Sequence, residues 1–180
     1  PAGGACPVGA PQGGAGEMAM MRCLPHLFAP SAARRFPAAG MARIGEAVAA
    51  GVRLQGGEVV FAVEGGLPWA ALAAGTSPRA RAEEVFARLR VWDTEDNNGV
   101  LLYLLLADHA IEIVADRGRG GRVAAAEWEA VCRAIEAGIA AGDAERAVAE
   151  GIGRISVLLS GHFPASGDAG DELPDRPVLL

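Results

Sequence analysis

The chain has no lysine; all sixteen of its basic residues are arginine. Lysine Schiff-base chemistry and the lysine of a phosphate-binding loop are therefore excluded. A basic face is missing as well: the net charge is -6 and the isoelectric point about 5.1, which argues against a nucleic-acid partner. Cysteine is scarce. Cys6, Cys23 and Cys132 are an odd set without framework spacing, so a reducing, cytoplasmic setting is the simpler expectation. No apolar run approaches the roughly 20 residues of a membrane-spanning helix, and Pro25, His26 and Pro30 spoil the stretch 24–33 as a signal peptide. His26, His109 and His162 have no neighbour at zinc-ligand spacing. No glycine-flanked nucleophilic serine and no dinucleotide fingerprint occur, so no nucleotide cofactor is expected.

What is present describes one globular domain with tails. Residues 1–17 are low in complexity, and residues 164–180 combine three prolines with four acids without periodicity. Between them, Met41, Ile44, Val48 and Val52 recur at helical spacing until Gln55-Gly56-Gly57 stops the pattern. Glu58 to Val63 is a β-branched strand candidate, and residues 67–74 a helical turn. Ser77-Pro78 opens a helix with a capping serine and a proline at the first helical position. The apolar run Val100 to Leu106 predicts a strand covered on both faces. Asp108-His109 predicts a tight turn, after which Ile111, Ile113 and Ala115 alternate as a strand nearer an edge. Helices carrying Trp128, Val131, Cys132, Ile135 and Ile139, then Val148, Ile152, Ile155 and Leu159, close the domain, with Asp143 capping the second. Gly151 and Gly153 in that last helix predict close packing. The fold class is α/β: a three-layer α/β/α sandwich whose small mixed sheet joins a parallel β-α-β unit to an antiparallel hairpin.

The densest chemistry lies in Asp93-Thr94-Glu95-Asp96-Asn97-Asn98-Gly99, where three carboxylates and two carboxamides precede a buried strand. With Asp108-His109 as the turn, Leu105 would face Glu112 and Leu101 would face Asp116, returning Asp116-Arg117-Gly118 to the acidic loop. Glu64 falls at the opposite end of the sheet near His109, where open α/β sheets more often bind ligands. Oxygen donors of this kind suit a hard cation such as Ca²⁺. The EF-hand pattern fails, since alignment on Gly99 puts Thr94 and Leu105 at its key ligand positions. Two readings stand: a cation or ligand site, or a loop whose Asp93, Thr94 and Asn97-Asn98-Gly99 serve only backbone turns. Arg117 and Arg119, beside Gly118-Arg119-Gly120-Gly121-Arg122, are candidate anion ligands, although a flexible connector is the plainer reading. Trp92 is expected to anchor the loop, and Trp69 to be partly exposed.

Asp93 through Asn97-Asn98-Gly99-Val100-Leu101-Leu102, then Ile111-Glu112-Ile113 and Gly118 after a turn, resembles the central motif of the TPM domain. That family includes a thylakoid-lumen protein of photosystem II repair, a nematode acetylcholine-receptor modulator and many bacterial proteins. The resemblance spans about Arg35 to Pro164, with Asn-Asn-Gly-Val-Leu its most specific part. It places a TPM-like α/β domain at residues 35–164, between a disordered leader, 1–34, and a disordered tail, 165–180. It implies Ca²⁺ or another divalent cation at Asp93, Asp96, Asn97, Asn98 and Asp116, and acid phosphatase activity as assigned to a plant member. Two departures weaken the second implication. Ala115-Asp116-Arg117-Gly118 replaces the Gly-Tyr-Gly of many relatives, and the export signal and membrane anchor many carry are not evident. Short versions with a Trp-Asp-Thr-Glu loop form a bacterial subgroup of undefined activity. The expectation is a cytoplasmic accessory module with a protein partner, reaching a membrane only through that partner. The alternative is a metal-assisted phosphomonoester hydrolase, with Asp93 or Asp96 on the metal and Arg117 on the phosphate.

Overall fold

Two apolar strands set the centre of the molecule. β1 (Val59–Glu64) and β2 (Val100–Leu105) are buried at every position, which demands cover on both faces. They pair in parallel, from Val59 opposite Val100 to Glu64 opposite Leu105. β3 (Ala110–Ala115) returns antiparallel to β2, and β4 (Val178–Leu179) lies parallel on the other side of β1. The sheet order is β3-β2-β1-β4. The structure, a computed structural model, describes residues 24–54, 57–94, 96–117, 122–162, 173 and 175–180.

The helices around this sheet include α1 (Ala32–Arg35), α2 (Ala38–Val52), α3 (Trp69–Ala73), α4 (Pro78–Arg88), α5 (Ala125–Ala140) and α6 (Ala144–His162). Phe61, Val63, Leu102, Leu104 and Ile113 face one way and meet α2, α5 and α6 through Ile44, Val48, Trp128, Ile135, Ile152 and Ile155. Ala62, Leu101, Tyr103 and Val114 face the other way and meet Ala82, Val85 and Phe86 of α4. The result is the three-layer α/β/α sandwich expected from the element order. Ser77 Oγ accepts the Ala80 N–H ahead of Pro78, and Asp143 Oδ1 accepts that of Arg146, so both predicted caps form. Gly51 allows α2 to approach Ser156 of α6, and Gly151 allows α6 to seat Ile135 of α5. Gly153 has open space around it and no such role.

Four expectations change. The hairpin register is two residues from that expected: Leu105 faces Ala110 and Leu101 faces Val114. The cause is a four-residue loop, 106–109, in which the His109 N–H reaches the Leu106 carbonyl and His109 adopts φ +50°. A two-residue shift leaves each side chain on its original face, so the layer assignment survives. The expected tail supplies an edge strand, because Val178-Leu179-Leu180 is apolar and the Leu180 N–H donates to the Val63 carbonyl at 3.0 Å. The expected leader is tied down where it is described. Residues 24–27 form a helical turn whose buried His26 accepts the Leu67 N–H on Nδ1 and donates through Nε2 to Asp108 Oδ1, both at 2.9 Å. Cys132 is disulfide-bonded, which removes the cysteine argument for a reducing compartment. No helix among the described residues is long and apolar enough to cross a membrane.

Candidate functional site

The acidic loop begins where α4 ends. The Val91 N–H bonds the Phe86 carbonyl and the Arg90 N–H that of Ala87, with Arg90 left-handed at φ +55°. This is a Schellman ending, sealed by the buried pair Val91 and Phe86. Val91 is thus the anchor of the loop. Trp92, expected in that role, is 48% exposed because it is the next residue outward. The Asp93 N–H then bonds the Arg90 carbonyl, and the Asn97 N–H the Thr94 carbonyl. Buried Thr94 accepts the Asn98 N–H on Oγ1 at 3.0 Å, a hydroxyl-stabilised turn that sets Asn97 at φ +51°. Gly99 follows because any side chain there would run into the Val91 carbonyl.

Across this closed loop lies the end of β3. The Asp116 N–H donates to the Gly99 carbonyl at 2.9 Å, so residues 17 apart in sequence are ladder neighbours despite the changed register. Asp116 is buried. Its Oδ1 accepts the Arg117 N–H at 2.6 Å, and its Oδ2 has no hydrogen-bond partner. Asn98 is buried beside it, whereas Asp93, Asp96 and Asn97 occupy the exposed tip. Asp93 is only loosely held, 3.9 Å from Arg90. Arg117 is exposed, and Arg119 lies outside the described residues. The structure therefore joins Asp116 and Asn98 at the base of the loop and leaves the tip carboxylates in water. The donor chemistry fits a hard cation, and Asp116 Oδ2 is an inward acceptor in want of a partner. As the loop stands, no three carboxylate, imidazole or thiolate side chains among the described residues converge on one point.

A second polar constellation lies beneath α4, built on Glu64, which the sequence placed at the far end of the sheet without its partners. Arg81 grips Glu64 in a bidentate pair at 2.9 and 2.8 Å, and Tyr103 donates its hydroxyl to Glu64 Oε2 at 2.6 Å. All three are buried. The Glu64 bond holds the Arg81 guanidinium charged far beyond its ordinary range, against the opposing effect of burial. Burial, reinforced by Glu64, pushes the Tyr103 phenol up. Two residues along the helix, Arg79 donates to the Ile113 carbonyl at 2.7 Å and lies 3.8 Å from Glu112. Burial raises Glu112 to about 7, with Arg79 opposing. One signal was available. Glu64 and Glu112 are carboxylates in strands otherwise apolar, and such groups stay buried only with cationic partners. The nearest arginines on a covering helix are those of α4.

The sequence profile of the TPM domain matches residues 36–158. The NMR structure of BA42 protein from the psychrophilic bacterium Bizionia argentinensis sp. nov. superposes with a TM-score of 0.69. Sequence identity is 25%, over 79% of this chain and 94% of that one. No curated protein matches the chain.

Proposed function

The chain belongs to the TPM-domain family, and from that premise we propose that it is a binding module whose acidic loop edge takes up a divalent cation. The observation that carries this reading is Asp116 Oδ2, a buried carboxylate oxygen with no donor. Leaving such a group unsatisfied costs ~1–3 kcal/mol, more when it is charged, and a cation bound there turns that cost into a ligand bond. Asp93 and Asp96 are the exposed carboxylates of this scheme, and Asn97 and Asn98 supply neutral oxygens of the type Ca²⁺ accepts. Because the tip carboxylates are exposed in the described geometry, uptake draws the loop toward Asp116. Trp92, next to Asp93 and half-exposed, moves with it and is the contact we assign to a protein partner. Any membrane association comes through that partner.

Calorimetric titration with Ca²⁺ and Mg²⁺ tests this reading, with Trp92 emission followed in parallel. Saturable heat in the wild type that is lost in Asp116→Asn and weakened in Asp96→Ala is expected. A wild type that gives no heat, or an Asp116→Asn variant that titrates unchanged, refutes it. A phosphomonoester hydrolase at the same edge is the second reading. It is favoured by Arg117, whose backbone is bonded to Asp116 Oδ1 so that a guanidinium begins beside the carboxylate. That reading expects p-nitrophenyl phosphate turnover that collapses in Asp93→Asn, Asp96→Asn and Arg117→Ala, and it fails if turnover survives all three.

A further inference from the structure

The far end of the sheet, remote from the acidic loop, holds a cavity that the reading above does not use. It opens between the 106–109 hairpin loop and the last turns of α5, with a volume of about 350 Å³. This is the lower end of the range for small-molecule sites, ~300–1,000 Å³. Its walls are apolar, formed chiefly by Leu104, Leu106, Ile111 and Ile139, and two polar side chains join them, Glu136 and His109. The location is the carboxyl end of β2, where open α/β sheets most often receive ligands.

We infer that this cavity binds a small molecule with an apolar body and a single ammonium group, the cation meeting Glu136. The charge of the rim decides the sign. Glu136 is half-buried and makes no ion pair with any described residue. Arg133, one turn earlier on α5, is engaged with Glu129 at 3.5 Å. The floor, Leu104 and Ile111, is apolar and supplies no cation, and the other polar lining residue, His109, sits exposed on the hairpin loop. A carboxylate ligand would therefore meet like charge, and a neutral one would displace water from the half-buried Glu136 without supplying a cation in its place. The hairpin wall is fixed rather than loose. The His109 N–H is bonded to Leu106, and Asp108, its neighbour, is held by His26.

The test uses 2-phenylethylamine as the probe, with 2-phenylethanol as its neutral isostere and phenylacetate as its anionic counterpart, each titrated into the full chain by methyl NMR. The expected result is saturable shifts at Ile111 and Ile139 for the amine, about tenfold weaker binding of the alcohol, and none of the carboxylate. That ratio corresponds to one charge-assisted hydrogen bond at a part-buried site. Glu136→Gln should leave the spectrum folded and bring amine and alcohol to equal affinity. Ile139→Trp, which fills the cavity from a half-buried position, should abolish binding of both. The proposal is overturned by an amine that does not bind, by equal binding of amine and carboxylate, by an amine preference that survives Glu136→Gln, or by shifts that persist in Ile139→Trp. Should Ile139→Trp fail to fold, Ala140→Leu at the rim provides the same block.

Discussion

Tyr103 and Glu112 face each other directly across the β2–β3 ladder, yet they serve different networks. The Tyr103 hydroxyl turns to Glu64 on the neighbouring strand, 2.6 Å away. Glu112 is left with Arg79 at 3.8 Å, and its Oε2 makes no hydrogen bond. One buried carboxylate is thus fully paired and the other is not, on the same face beneath the same helix.

Stability should consequently depend on pH through Glu112. Its folded-state value of about 7 lies above the ordinary 4.5. Below pH 4.5 the group is protonated in both states and costs nothing. Between the two values the unfolded chain gives up its proton first, so stability falls as pH rises, and above about 7 the loss is complete at about 3 kcal/mol. Glu112→Gln should match the wild type in urea melts at pH 4 and exceed it by up to that amount at pH 8. Parallel curves across the range would refute this.

Arg81 offers the opposite case, a buried charge fully engaged. Arg81→Met would strand Glu64 beneath α4, and removal of one partner from a buried pair costs ~3–5 kcal/mol. The double variant Arg81→Met with Glu64→Gln should recover much of that loss, since a neutral amide accepts the Tyr103 hydroxyl without needing a cation. A double-mutant cycle by chemical denaturation measures the coupling. Coupling under ~1 kcal/mol would mean that the pair is solvated and not structural.

The layers of this fold were legible because apolar runs and helical spacing are local properties. Val100 to Leu106 announced a central strand, and Ser77-Pro78 marked the start of α4. The polar architecture was not legible in the same way. Glu64 and Arg81, or His26 and Asp108, meet only because the strands bring distant segments together, and nothing near His26 in sequence marks it as a buried tether. The acidic loop stood out by composition, but composition could not say that Asp116 and Asn98 would be inside while Asp93 and Asp96 stayed in water. Register was lost to one detail, a four-residue hairpin loop with His109 left-handed. The edge position of β3, by contrast, was visible in its alternation. Ile113 lies in a non-hydrogen-bonded pair of the β2–β3 ladder, so its carbonyl points off the sheet, where Arg79 caps it.

Arg90 holds a left-handed conformation at the end of α4, the position where glycine is strongly preferred. Its side chain is largely exposed, and among the described residues its ion-pair partner is Asp93 at 3.9 Å, a contact worth little in water. Relief of the backbone strain should therefore dominate, and Arg90→Gly should stabilise the chain by about 1 kcal/mol in thermal or urea unfolding. Destabilisation would show that the Arg90 side chain holds the acidic loop in place, which the spacing to Asp93 argues against.

Two glycines on α6 should respond to the same substitution with opposite signs. A methyl group at Gly151 would overlap the Ile135 side chain of α5, whereas at Gly153 it would meet nothing within 4 Å. Both lie in a helix interior, where alanine is favoured over glycine by about 1 kcal/mol. At Gly153 that gain is unopposed, so Gly153→Ala should raise stability by about that amount. At Gly151 the gain is set against an overpacked interface that must spread α5 from α6, a cost of ~1–3 kcal/mol, and Gly151→Ala should be a net loss. Shortening Ile135 to valine should rescue Gly151→Ala in part and do nothing for Gly153→Ala, because only the first shares that contact. Equal effects at the two sites would mean that the α5–α6 interface is looser than the position of Ile135 implies.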